Sequence, residues 1–171
     1  MTDSILITYA TSYGSTQEVA QSVAETLRDC GLEIDLQPAR QVKVLSGYRA
    51  VIIGAPLYMF RLHSDARHFL AKHHSVLASL PTAIFALGPF HNNEDELRSA
   101  REQLNKELLK YAWFKPVAIE VFAGKFDPAA LRFPYSLIGP LKKMPASDER
   151  DWQAITAWAT ETGLTLKGNE Q

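Results

Sequence analysis

Thr11, Ser12, Tyr13, Gly14, Ser15 and Thr16 form a hydroxyl-rich run with one glycine, set between an apolar stretch and a helical one. A run of this kind at a helix N-terminus is suited to holding an anion. Free backbone N–H groups and the positive end of the helix dipole converge there, and Gly14 lets the backbone approach the ligand closely. The run contains no lysine, so it lacks the G-x-x-x-x-G-K-[ST] of a Walker loop, and it lacks the G-x-G-x-x-G of a dinucleotide site. Hydroxyls and amides without a cation suit a terminal phosphate monoester, as on a mononucleotide. A Ser/Thr-rich turn that only caps a helix is the competing reading. Pro56, Leu57, Tyr58 and Met59 follow a second apolar run, and Gly88, Pro89, Phe90 and His91 follow a third. Both groups offer apolar and aromatic surface to a flat ring, with Tyr58 and Phe90 the expected partners and simple cover of a sheet end the alternative. His91 is a candidate proton donor beside such a ring. The other histidines, His63, His68, His73 and His74, are separated by five, five and one residues, which does not suit a metal site. No Ser-His-Asp or Cys-His arrangement can be read, so no catalytic acid–base residue is named.

These residues need elements to position them. Residues 4–10 read as a short buried strand, rich in β-branched and aromatic side chains. From Ser15 the period becomes helical, with Val19, Ala20, Val23, Leu27 and Cys30 on one face. Ser15 and Glu18 have capping-box spacing, which predicts a helix from Thr16 that stops at Gly31 with Cys30 a buried structural thiol. Further strands are predicted at 32–37, 49–55, 82–88 and 116–123. A helix at 64–80 carries Phe69, Leu70, His73 and Leu77 on one stripe. Another at 93–111 carries Leu97, Ala100, Leu104, Leu108 and Tyr111, capped by Asn93 and Glu96. The last, at 148–162, buries Trp152, Ile155 and Ala159 and stops at Gly163. Alternating strands and helices imply right-handed crossovers in a parallel sheet covered on both faces. The expected fold is a three-layer α/β sandwich with a five-stranded parallel sheet in the order 2-1-3-4-5, as one domain over residues 1–171. A ligand in that topology lies beyond the carboxyl ends of the first, third and fourth strands.

At the first loop a family resemblance becomes specific. The order aromatic, x, Thr, x, x, Gly, x, Thr, x, x, x, Ala, x, x, aliphatic fits Tyr9, Thr11, Gly14, Thr16, Ala20 and Val23 without a gap. It resembles the FMN phosphate loop of the flavodoxin family, which implies a flavodoxin-like fold with FMN as cofactor and the two later loops around its ring. A second resemblance covers most of the chain. Val51, Ile52, Ile53, Gly54, Ala55 and Tyr58, then His63-Ser64 heading a helix with Phe69 and Lys72-His73, are similar to the menaquinone-dependent protoporphyrinogen IX dehydrogenase family. So are Leu80-Pro81-Thr82-Ala83, Ala123-Gly124-Lys125, Lys143-Met144 and Asp151-Trp152. That resemblance implies oxidation of a porphyrinogen with a quinone acceptor. Two departures bear on the substrate. The stretch between the fifth strand and the last helix is shorter and richer in proline here, and Ser12-Tyr13 stand where those enzymes tend to carry a charged pair.

Residues 125–147 are the most unusual region on physical grounds. They hold four prolines and many apolar residues, and between Asp127 and Asp148 the only charges are Arg132, Lys142 and Lys143. Connections of this length are usually functional or disordered, and this one is too apolar for disorder. It reads as a lid that carries an apolar substrate over the flavin, with Arg132, Lys142 and Lys143 holding substrate carboxylates. Contact with a membrane surface or a redox protein partner is the second reading, and a loop packed on the sheet is the third.

Charge is balanced, with 18 basic and 19 acidic residues and a net charge of -1, so nothing points to a nucleic-acid partner. The single cysteine rules out an internal disulfide. No stretch is long and apolar enough for a membrane span, and Asp3 sits where a signal peptide would begin, so a cytoplasmic protein is expected. Trp113 and Phe114 suit a core or a homo-oligomer interface equally. Two kinds of flavin chemistry compete: an enzyme moving two electrons between a small molecule and a quinone, and a one-electron carrier between proteins. Carriers resemble one another in being strongly acidic, unlike this chain. They also often use a peptide flip beside the ring that is easiest at glycine, and residues 55–62 contain neither Gly nor Asn. Both points favour the enzyme.

Overall fold

The computed structural model describes residues 3–168. β1 (Ile5–Tyr9) is buried along its whole length and leads through the hydroxyl-rich loop into α1 (Ser15–Asp29). β2 (Ile34–Pro38) and the long β3 (Ala50–Tyr58) lie on either side of β1, so that Ile5 stands opposite Ile34 on one side and Ala50 on the other. A tight turn returns β3 into β4 (Arg61–Leu62), which pairs antiparallel with it. α2 (Ser64–Lys72) and a short α3 (His74–Leu77) follow, then β5 (Thr82–Leu87), α4 (Glu94–Leu108) and β6 (Ala118–Phe122). Beyond them come β7 (Lys125–Phe126), α5 (Gly139–Lys142), β8 (Ser147–Asp148) and α6 (Trp152–Gly168).

The main sheet runs β2-β1-β3-β5-β6, with β4 attached to β3 outside that path. Its five long strands are parallel. Counted along the chain they have the expected 2-1-3-4-5 order, the flavodoxin-like α/β arrangement. Two apolar layers follow from the alternation of side chains across a pleated sheet. One gathers Leu6, Val51, Ile53, Ile84, Phe69, Leu70 and Leu104, and the other Ile5, Ile7, Ile52, Phe85, Val23, Leu27 and Ile155. Gly54 belongs where it is because the Phe85 ring lies across it, and a Cβ there would stand 2.2 Å from Phe85 Cζ.

Several local expectations are corrected. Gly14, in the left-handed region at φ 89°, is the N-cap of α1, and Ser15 is the first helical residue. The Ser15–Glu18 capping box is not formed, because the Glu18 carboxylate pairs with Arg150 instead. β3 extends to Tyr58, so Pro56 and Leu57 are buried strand residues rather than loop. The single helix expected at 64–80 breaks at His73, although Phe69, Leu70, His73 and Leu77 are all buried as the stripe requires. Cys30 is the C-cap of α1 and only half-buried. Residues 147–148 form β8 instead of opening the last helix, and Trp152 is exposed over Arg150. α6 does not stop at Gly163 but runs through it to Gly168. That glycine allows α6 to lie close to α1, since a Cβ would come within 2.7 Å of Leu27 Cδ2. Phe114 is buried, and Trp113 packs at the core edge, stacked with His74 at 4.2 Å between ring centres.

Candidate functional site

The carboxyl end of β1 is closed by backbone and side-chain hydrogen bonds acting together. Ala10 N donates to Gly54 O at 2.9 Å, anchoring the loop to β3. Thr11 Oγ1 accepts from Gly14 N at 2.8 Å, which draws the turn shut just before α1. Gly14 is required for its backbone conformation rather than for space, because nothing lies within 4 Å of where a Cβ would be. Thr16 is fully buried in the first turn of α1, and its Oγ1 has no hydrogen-bond partner among the described residues. Ser12 Oγ lies 2.9 Å from His63 Nε2, which joins the loop to the N-terminus of α2. Burial is the main cause that lowers the His63 pKa from its ordinary value, with Arg67 adding to it and Asp65 opposing.

Tyr58 closes the neighbouring end of β3. Its ring meets Tyr13 edge-on at 6.5 Å, His63 at 6.2 Å and Tyr135 at 6.0 Å. Burial pushes its phenol up to about 12, against a hydrogen bond from Ser12. Met59 and Phe60 then make the turn into β4 with φ of 49° and 68°. Two left-handed residues in a two-residue hairpin match the twist of the strands, and here neither is glycine or asparagine. Their side chains project outward, 75% and 67% exposed.

At the end of β5, Gly88 N donates to Phe122 O and Gly124 N to Pro89 O, tying the loop to β6. Pro89 is buried and Phe90 exposed, with the Phe90 ring edge-on to Phe126 at 5.3 Å. His91 Nδ1 stands 2.7 Å from Glu96 Oε1, and His91 N donates to Glu96 Oε2 at 3.1 Å. Asn93 Oδ1 accepts from Glu96 N at 2.9 Å as the capping pattern predicts, while the Glu96 carboxylate serves His91. That bond to His91 holds the Glu96 carboxyl below its usual range.

Residues 125–147 form a strap whose base is the antiparallel pairing of Lys125 with Asp148 and Phe126 with Ser147. Its middle folds back so that Tyr135 meets Tyr58. Phe133 and Leu137 are 79% and 73% exposed. Arg132, Lys142 and Lys143 are exposed too, and no ion pair to them is formed among the described residues. The returning end is locked by Arg150, a buried cation. Its Nε and Nη2 donate to Asp148 at 2.8 and 2.7 Å, and Nη1 donates to Glu18 at 2.6 Å and to Ser15 O at 3.4 Å.

The fold thus brings Thr11, Ser12, Tyr13, Gly14, Ser15 and Thr16 together with Tyr58, and sets Gly88, Pro89, Phe90 and His91 at the end of the second strand over. Pro56 and Leu57 lie in the sheet core instead, and Met59 points to solvent. Four residues were missed by sequence reasoning: His63, Glu96, Tyr135 and Arg150. Glu96 and His63 had signals, but these described only the starts of helices. The donor set suits an FMN phosphate. A buried hydroxyl without a partner, a loop turned by a left-handed glycine and a helix N-terminus together offer an anion what it needs.

Comparison with known proteins agrees. A family model described as Flavodoxin domain matches residues 6–145. The chain is 26% identical over 131 residues to a protoporphyrinogen IX dehydrogenase [quinone] of Escherichia coli (strain K12), covering 75% of this chain and 70% of that protein. It is 23% identical over 172 residues to the protein of the same name from Leishmania major, covering 91% and 73%. A flavodoxin from the domain Archaea has the same fold, with a TM-score of 0.57 at 12% identity over 96% of this chain and 99% of that one. The chain therefore belongs to the flavodoxin-domain family and is a flavodoxin-type oxidoreductase with FMN as its cofactor.

Proposed function

We propose that this protein, working as a single domain, moves two electrons between an apolar, carboxylate-bearing organic substrate and a quinone-type acceptor. In this reading Thr11, Ser12, Tyr13, Gly14, Ser15 and Thr16 would hold the FMN phosphate, and Tyr58 at the end of β3 and the loop at 88–91 would flank the flavin ring. Bound FMN supplies the electron-transfer chemistry, and the protein supplies position and electrostatics. Thr16 Oγ1 and the α1 amides bind the phosphate. Tyr58, a phenol uncharged at neutral pH and made still harder to ionise by burial, would give the ring an apolar wall without adding charge. His91, oriented by Glu96, is placed to exchange a proton at the solvent edge. The names of the two relatives support a porphyrinogen-like substrate.

One observation carries the enzyme reading. The strap lays Tyr135 against Tyr58 and leaves Phe133, Leu137, Arg132, Lys142 and Lys143 free at the same end of the molecule. That combination suits a flat apolar substrate with carboxylates. Removing residues 132–144 spares the β7–β8 base and the Arg150 lock. The expected result is loss of protoporphyrinogen oxidation at least about a hundredfold, as for loss of a substrate-positioning element, with the FMN Kd within about twofold of wild type. Undiminished turnover contradicts the lid.

A one-electron carrier with a redox protein partner is the second reading, and the β3–β4 turn favours it. Met59 and Phe60 hold left-handed conformations without glycine, so the absence of Gly and Asn from residues 55–62 does not bar that turn from unusual peptide geometries. Net charge alone then distinguishes this chain from a carrier.

A further inference from the structure

We propose that His63 is a positioning residue that aims the Ser12 hydroxyl as a hydrogen-bond donor to the FMN phosphate. This rests on the reading that residues 11–16 hold that phosphate.

His63 is the N-cap of α2, and its Nδ1 accepts from Asp65 N at 3.1 Å. A ring nitrogen that accepts carries no proton, so the neutral ring must carry its proton on Nε2. That nitrogen is 2.9 Å from Ser12 Oγ, and it therefore donates to the hydroxyl. A serine hydroxyl has two lone pairs and one hydrogen. With a lone pair taken by His63, its hydrogen is left to donate, to the Tyr58 phenol in the ligand-free protein and to the phosphate once that is bound, and rotation about the C–O bond is restricted to orientations that keep the His63 contact. In an anion loop without lysine, each oriented donor counts, because a donor already held to a narrow range of orientations costs little reorganisation when the anion arrives.

The groups facing His63 hold it neutral. A protonated ring would set two donors, Nδ1–H and the Asp65 amide, against each other across the cap. Arg67 on the same helix also disfavours the charge, and Asp65 favours it. From β3, Tyr58 faces the ring uncharged, and Tyr13 packs behind Tyr58. The cap of α2 thus prepares the anion site of α1, across 51 residues of sequence.

Two substitutions separate the two jobs of the ring. His63→Asn keeps a good N-cap acceptor but is too short to reach Ser12. His63→Gln reaches the Nε2 position with an amide donor and gives up the cap. The experiment titrates FMN and riboflavin into apoprotein, follows flavin fluorescence, and records thermal unfolding alongside. For His63→Asn the FMN Kd is expected to rise about tenfold, as for one lost hydrogen bond to a charged group, with riboflavin affinity and Tm unchanged. For His63→Gln the FMN Kd stays within about twofold and Tm falls. Ser12→Ala repeats the His63→Asn loss, and the double variant adds nothing to it. Wild-type FMN affinity in His63→Asn overturns the inference and leaves the phosphate-loop reading standing. Equal loss of FMN and riboflavin overturns it as a purely structural effect. Failure of the wild type to prefer FMN over riboflavin overturns both. Nitrogen-15 NMR of the wild type gives an independent check at pH 7: a proton on Nε2 supports the inference, and one on Nδ1 overturns it.

Discussion

A buried hydroxyl without a partner costs a folded protein about 1–3 kcal/mol, and Thr16 Oγ1 is in that position at the first turn of α1. A ligand oxygen that accepts from this hydroxyl would relieve that cost, whereas Thr8 and Thr162, buried without partners too, lie outside the loop. Thr16→Val exchanges the hydroxyl for a methyl of the same shape, so the ligand-free protein is expected to become more stable by up to about 1 kcal/mol. FMN affinity should fall at least about tenfold in the same variant. Calorimetric unfolding and a flavin titration read the two effects, and unchanged FMN affinity removes Thr16 from the phosphate site. The six residues from Thr11 to Thr16 were readable in the sequence because their pattern is local, hydroxyls and one glycine between a strand and a helix. Their partners were not. Glu18 has the spacing of a capping residue, yet it is taken by Arg150 from 132 positions away. Ser12 finds its partner in His63 and Tyr58 its neighbour in Tyr135, contacts that no periodicity displays.

At the scale of elements, α2 is bracketed by two histidines that the fold keeps neutral. His63 caps its start and His73 sits buried at its end, with Nε2 unpartnered, and burial is the first cause lowering both pKa values below 6.5. A histidine whose folded pKa is depressed contributes stability that is complete above the unfolded pKa and is lost as pH falls below it. The apoprotein should therefore lose stability as pH drops below about 6.5, before the carboxylates Glu96 and Asp148, themselves held low by His91 and Arg150, begin to matter. Urea unfolding between pH 7.5 and 5 measures this, and a His63→Asn, His73→Leu variant should show a flatter profile. An equal slope in wild type and variant contradicts it. Helix existence was readable from the apolar stripe of Phe69, Leu70, His73 and Leu77, but the break at His73 was not. Neither was the continuation of α6 through Gly163, since a glycine that stops a helix and one that admits a neighbouring helix look alike in sequence. The β3–β4 hairpin was missed for the opposite reason. Met59 and Phe60 are poor turn residues, and the structure holds them in left-handed conformations that cost free energy where they lie beside the proposed ring.

Across the whole molecule, five apolar runs separated by helical stretches, with a mononucleotide-type loop after the first, pointed to the sheet order, because parallel strands with right-handed crossovers leave few arrangements. The strap was readable only as an anomaly of composition. Its fold depends on the β7–β8 pairing and on the bond of Arg150 to Glu18, both made between residues far apart in the sequence, while the Arg150–Asp148 contact is local. Together they hang an apolar, basic segment at the end of the sheet where the phosphate loop opens, the feature on which the proposed two-electron reading rests. An anaerobic reductive titration of the FMN-loaded protein, followed by visible absorbance, tests that account most directly. Direct passage from oxidised to fully reduced flavin is the predicted result, while a large and stable one-electron-reduced flavin, or a protein that does not retain FMN, would contradict it.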